Sequence, residues 1–168
     1  MIKLESENVE PEHNGQAVRR FLESKPIFAM FSARVVKFAA GTSELEMPWR
    51  RDLTYDGTAI PATINGDLID FAGGSAAATL LLQGWGIMTT GFEVHNIAPA
   101  TGQRMVALGE ALHMCKRTGP ARADVFSERD GKRTLCASSL VTVQAVAVRS
   151  RVRERFKSPR PSAWRVGH

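Results

Sequence analysis

The stretch NGDLIDFAGGSAAATLLLQ, residues 65–83, decides how this chain folds. It is the longest helical candidate in the sequence. Asn65, or Thr63 just before it, is placed to cap the N-terminus, and Asp67 suits the positive end of a helix. Gly84 and Gly86 supply the stop. At about 100° per residue, Asp70, Gly73, Gly74, Ala77 and Leu81 fall on one stripe, while Leu68, Ala72, Ser75, Ala76, Thr79 and Leu82 occupy most of the opposite side. Two adjacent glycines inside a helix cost about 1 kcal/mol each relative to alanine. That cost is tolerable where a backbone, a ligand or a partner subunit must approach closely, and Asp70 sits in the middle of the glycine stripe.

On either side of this helix the pattern differs. Residues 14–24 read as a short helix, with Ala17, Val18, Phe21 and Leu22 at helical spacings and Pro26 limiting its continuation. From Phe31 to Met47 the alternation is β-like, with Gly41-Thr42 marking a hairpin turn. Pro48 to Ile60 is polar, with Asp56-Gly57 as a turn signal, and reads as a loop. After the long helix come four β-like stretches, 89–97, 105–116, 123–129 and 134–148. They are punctuated by Pro99-Ala100-Thr101-Gly102, Thr118-Gly119-Pro120 and Asp130-Gly131, and Asp-Gly between two alternating runs is a strong hairpin signal. A largely antiparallel sheet with this order needs one face covered, and only the 65–83 helix is long enough to do it. The fold class is α+β.

The chain has 168 residues, 43% of them hydrophobic, which suits one domain with a real core over residues 1–148. The net charge of +5 is local: residues 149–168 carry seven basic side chains and one acid, and the other 148 residues sum to −1. The basicity therefore belongs to a C-terminal tail. Such a tail is most often a solvated extension, and any nucleic-acid contact would run through it alone. No apolar run approaches the roughly 18 residues of a membrane span, and the polar, acidic start is unlike a secretory signal. Two cysteines, Cys115 and Cys136, make no disulfide scaffold, and no Cys/His cluster suggests a metal. The expected setting is the reducing cytoplasm.

A lone helical Asp is ordinarily a solvated surface residue. Asp70 differs, because Ile69 and Phe71 flank it, glycine and alanine share its stripe, and it lies too deep in the helix for capping. Partial desolvation makes such an anion a better base. It can activate a water against an ester or thioester carbonyl, or attack that carbonyl itself. The oxyanion then needs donors, and free backbone N–H groups at a helix N-terminus, here the Pro61–Asn65 turn, supply them.

At these residues the sequence resembles the PaaI-type (phenylacetic-acid-degradation) branch of the hotdog thioesterases. That pattern is a Gly-containing turn, often His-Gly-Gly, with a catalytic Asp on a helix nine residues after the His and a Thr or Ser starting the next strand. Leu68-Ile69-Asp70-Phe71-Ala72-Gly73-Gly74 matches the helix, and Thr89-Thr90-Gly91-Phe92-Glu93-Val94-His95-Asn96-Ile97-Ala98-Pro99-Ala100 matches the strand. Lys116-Arg117-Thr118-Gly119 and Arg129-Asp130-Gly131-Lys132 match the last two turns, so the likeness spans about residues 30–148. It implies a hotdog fold, an antiparallel sheet wrapped around a central helix. It also implies an acyl-CoA substrate, with coenzyme A as part of that substrate and no separate cofactor, and a homo-oligomer, dimer or dimer of dimers, whose site forms across subunits. Asp70 is then the base or nucleophile, Thr89 its water-orienting neighbour, and Lys116 and Arg117 candidates for the CoA phosphates.

Departures from the pattern are informative. Counting back nine from Asp70 gives Pro61-Ala62-Thr63 in place of His-Gly-Gly, which assigns the oxyanion role to the Ala62 N–H. A second register places Asn65-Gly66 on His-Gly, with Gly74 in place of the acid, and makes these three substrate-binding candidates. The missing His motivates an alternative, a non-catalytic acyl-CoA-binding or structural hotdog protein. A hydratase is a third choice, since Asn65-Gly66-Asp67 only faintly resembles a Gly-Asp turn and no His follows. His95 and His113 read as strand residues, Cys115 as a small core or interface residue, and Trp49, Trp85 and Phe92 as core more than pocket. Ser75, Ser138 and Ser139 lack a nucleophile elbow. Asp67 is a rival carboxylate whose pKa the helix dipole should hold low.

Overall fold

A helix buried around most of its circumference needs a sheet that curls about it. The long helix meets that condition: of its seventeen residues, Ala62–Ala78, eleven are buried, so it forms the centre of the fold. In the computed structural model, residues 11–82, 84–115 and 117–148 are described, with side chains from residue 15 onward. The basic tail expected at 149–168 lies outside them. Helices α1 (Pro11–Glu23) and α2 (Pro26–Met30) precede a hairpin of β1 (Arg34–Ala39) and β2 (Thr42–Pro48). The central helix, α3, follows, and then β3 (Trp85–Phe92), β4 (His95–Asn96), β5 (Arg104–Ala111), β6 (Thr118–Arg129) and β7 (Lys132–Ala147). All strands join one antiparallel sheet in the order β1-β2-β5-β6-β7-β3, with β4 pairing on β7 beyond β3. The α+β class and the wrapped central helix are as the sequence led us to expect. No described helix is long and apolar enough to cross a membrane.

Leu45 and Met47 of β2, Met105 and Ala107 of β5, Ala123 and Val125 of β6, and Val141 and Val143 of β7 are buried together with Leu68, Ile69 and Ala72 of α3. The close approach depends on small residues. A Cβ on Gly109 would stand 2.2 Å from the Ala72 carbonyl oxygen, and one on Gly73 would stand 2.8 Å from Val141 Cγ2. Gly73 is thus a glycine because the sheet leaves it no room. The β6–β7 turn has positive φ at both Asp130 (51°) and Gly131 (76°), the two-residue turn that Asp-Gly favours.

Several boundaries depart from expectation. The central helix begins at Ala62 with Pro61 as its N-cap, so neither Thr63 nor Asn65 caps it. It ends at Ala78 and not at Gln83, because the Thr79 hydroxyl donates to the Ala76 carbonyl (2.7 Å) and accepts from the Gly41 N–H (2.8 Å). Gly84, at φ 86°, turns the chain into β3. Pro26 does not merely end the first helix; it opens α2 at a position where its missing N–H costs nothing. Thr118-Gly119-Pro120 is no turn but the start of β6, since the sixteen-residue β7 still offers Gln144, Val143 and Thr142 as partners. The expected 105–116 strand stops at Ala111, which leaves His113 exposed and outside the sheet, and Cys115 is also exposed.

The 89–97 stretch holds the most consequential difference. It starts earlier, at Trp85, and its register on β7 shifts between Thr89 and Gly91. Thr90 is the extra residue of a β-bulge, which reverses which side chains face inward. Before it, Ile87 and Thr89 face the helix at Gly74; after it, Phe92 and Val94 face the helix at Gly66.

Candidate functional site

Against this frame, α3 passes Asp70, Gly74 and Ser75 along one wall of a cavity of about 550 Å³. Ile87 and Thr89 of β3 form a second wall, and Val18, Phe21 and Leu22 of α1 a third. The volume lies within the usual range of small-molecule sites, about 300–1,000 Å³. A Cβ on Gly74 would stand 3.7 Å from Thr89 Oγ1, so the residue at 74 separates the helix from that hydroxyl by ordinary contact distance. Asp70 is half-buried, and its Oδ1 is a buried atom with no hydrogen-bond partner among the described residues. Buried polar oxygens are nearly always paired, so an orphan one on a cavity-lining residue sets Asp70 apart from an ordinary helical carboxylate.

The start of α3 is a separate place. Its N-cap is Pro61 and no side chain caps it, which leaves the first N–H groups, Ala62 and Thr63, without intrahelical acceptors. Ala62 and Asn65 line a second cavity of about 310 Å³ with Ile60, Asn96, Pro99 and Ala100. Asn65 donates from Nδ2 to Asn96 Oδ1 (3.0 Å), while its own Oδ1 is buried and unpaired. Gly66 is buried against Phe92 and Val94. Asp67, one turn before Asp70, was expected to be held low by the helix dipole. Its pKa is instead raised, first by burial and then by the Asp70 charge, which outweigh the dipole so far into the helix.

A scan against protein-family models finds no match, and neither does a search of curated proteins. Solved structures do match. A thioesterase family protein from Silicibacter pomeroyi superposes with a TM-score of 0.76 at 29% identity, covering 80% of this chain and 98% of its own. The fold is that of the PaaI-type hotdog thioesterases. The PaaI protein from the phenylacetic acid degradation operon of E. coli matches over 82% of this chain and 94% of its own, with a TM-score of 0.70 at 13% identity. A thioesterase from Haemophilus influenzae covers 82% and 93% with a TM-score of 0.71, also at 13% identity. At 13% the last two likenesses speak for the hotdog fold alone.

Of the residues expected at the site, the hotdog core brings Asp70, Gly74 and Thr89 into one cavity. Ala62, Asn65 and Gly66 lie elsewhere in the fold. Arg117 is exposed, with its guanidinium 4.9 Å above the Trp85 ring, and Lys116 lies outside the described residues. Trp85 lines the cavity, against the expectation of core packing, whereas Trp49 packs on the core and Phe92 is exposed. The α1 wall was missed altogether. Its only sequence signal was the apolar spacing of Val18, Phe21 and Leu22, which every amphipathic helix shows. Among the described residues no group of three His, Cys, Asp or Glu side chains stands close enough to hold a metal.

Proposed function

We propose that this chain is an acyl-CoA thioesterase, with Asp70 as its catalytic carboxylate. The observation that carries the reading is that Asp70, whose Oδ1 is buried without a partner among the described residues, lines a mainly apolar cavity together with Thr89. The likeness to thioesterase-family structures supports thioester hydrolysis as the general chemistry. In the simplest scheme Asp70 takes a proton from a water held with the Thr89 hydroxyl. The water oxygen bonds to the thioester carbon, the C–S bond breaks, and the thiolate leaves with a proton as free thiol. Direct attack by the carboxylate gives the same products through an acyl-enzyme anhydride.

The oxyanion needs a donor, and the Ala62 N–H is free for the role but lines a different cavity from Asp70. The reading therefore requires a second copy, whose Ala62 turn faces this copy's Asp70. Strand β3 is the sheet edge beside the cavity, and its exposed Met88 and Phe92 suit such a contact, in a dimer or a dimer of dimers. Arg117, with Lys116 beside it in sequence, would pair with CoA phosphates. Asn65, Gly66 and Gly74 would shape the approach of the thioester.

The test is thiol release from a panel of acyl-CoAs by the purified oligomer. Wild type should turn over, and Asp70→Asn should lose roughly 10²–10⁴-fold, the usual contribution of a general base. No turnover of any acyl-CoA would leave the alternative, an acyl-CoA-binding protein without catalysis. Unchanged rates in the variant would move the chemistry away from Asp70.

A further inference from the structure

We infer that α1 is the specificity wall of the acyl pocket, and that the acyl group it accepts is a linear, uncharged apolar chain. The inference rests on the thioesterase reading of Asp70 and adds to it the class of acyl group and the residues that measure it.

Two sets of contacts orient the cavity. At one end Gly15 of α1 reaches Phe38 of β1, near the Gly41 turn that binds Thr79 at the close of α3. At the other, just past α1, the Phe28 ring meets Phe71 edge-on at 5.5 Å. Helix α1 thus runs antiparallel to the second half of α3, its start toward the close of α3 and its Glu23 end toward Phe71. It presents Val18, Phe21 and Leu22 to the cavity from adjacent turns of one face, and Lys25, in the link to α2, follows just past its end. From Asp70 to Ala78 the slot follows eight helical steps, about 12 Å at the α-helical rise. A single-ring acyl group would fill only part of that length.

The chemistry of the walls selects further. Asp70 and Lys25 are the ionisable side chains of the described lining. Lys25 rests its ammonium 3.8 Å above the Phe21 ring. Toward Trp85 the walls are Ala78, Leu81, Ile87 and Val146, and the Ser75 hydroxyl is already donated to the Ala72 carbonyl (3.1 Å). A methylene chain gains by burial against these walls, which offer a charged tail no charged side chain, since the Arg117 guanidinium stacked on Trp85 is not part of the lining. Phe21 is 60% exposed although it lines the cavity, so it stands at the lip and not in the core.

The experiment compares kcat/KM across straight-chain acyl-CoAs, phenylacetyl-CoA and an ω-carboxyacyl-CoA of matched length, for wild type, Val18→Trp and Phe21→Ala. Wild type should favour the medium or long straight chain over both comparators by at least tenfold. Val18→Trp should lower the long-to-short selectivity ratio at least tenfold, and Phe21→Ala should raise acceptance of longer or bulkier groups. Calorimetric binding of decanoate, measured in parallel, should weaken in Val18→Trp, whose fold is checked by circular dichroism; Phe21→Ala removes an exposed ring and leaves the core intact. Turnover with selectivity unmoved by either variant, or with the ω-carboxyacyl or phenylacetyl group preferred, overturns the inference and spares the thioesterase reading. Decanoate binding that responds to Val18→Trp without turnover of any thioester keeps the pocket and removes the reading.

Discussion

Two neighbouring glycines, Gly73 and Gly74, do different work, and a methyl group placed on each separates packing from function. At Gly73 the added Cβ would meet Val141 Cγ2 at 2.8 Å and Val141 Cβ at 3.1 Å, and Val141 is fully buried. Overpacking of this kind costs about 1–3 kcal/mol, more than the gain in helix propensity of at most about 1 kcal/mol. Gly73→Ala should therefore lower the melting temperature by several degrees, which a thermal scan will read. At Gly74 the nearest atom would be Thr89 Oγ1 at 3.7 Å, ordinary contact. Gly74→Ala should leave the melting temperature equal or higher while thioester turnover falls, because its methyl enters the cavity beside Asp70. Equal behaviour of the two variants would refute this division. Asp70 itself stood out in the sequence because a carboxylate between Ile69 and Phe71 on a glycine stripe is out of place on a solvated face. The different tasks of its two glycines did not show, since both satisfy the same pattern until β7 and β3 are laid against them.

Among the elements, the β6–β7 hairpin shows how far local sequence reaches. Asp130-Gly131 specifies a turn with both φ angles positive, and the structure has it. Gly131→Ala places a Cβ in the left-handed region, which costs about 1–2 kcal/mol. Denaturant unfolding should show that loss with kcat/KM unchanged; a loss of activity at native stability would contradict it. Strand β3 shows where local sequence stops. The Thr90 bulge reverses inward and outward faces between Thr89 and Phe92, and it exists because β7 offers one residue fewer than β3 supplies. Nothing in the 89–97 run itself marks that shortfall. Likewise α1 reads as one more amphipathic helix until its place beside α3 is known.

Across the whole molecule, a chain of ion pairs crosses the outer face of the sheet. Arg34 and Arg104 pair with Glu46, Arg104 and Arg133 with Glu128, and Arg133 with Glu44. Hydrogen bonds from Arg133 and then Arg104 hold the Glu128 carboxyl below its usual range. A carboxyl lowered in the folded state stabilises above its unfolded pKa and loses that contribution as pH falls through the folded value. Glu128→Gln should therefore flatten the acid limb of a stability–pH profile. Asp67 has the opposite sign. Its raised pKa means the folded state holds the proton more tightly, so stability declines as pH rises through the raised value. Asp67→Asn should gain stability near neutral pH and gain nothing in acid, and chemical unfolding at both pH values distinguishes the two effects.

The amino-acid sequence by itself determined the α+β class, the buried central helix and the Asp-Gly hairpin, and it singled out Asp70 as a carboxylate out of place. Those rest on periodicity, turn chemistry and residue size, which act over a few neighbours along the chain. Only the tertiary structure decided that Asp70, Gly74 and Thr89 share a cavity that Ala62 and Asn65 do not reach, and that α1 closes its third side. A cavity is the space left between elements, and its walls come from residues as far apart in the chain as Val18 and Val146, joined by packing that no local pattern encodes.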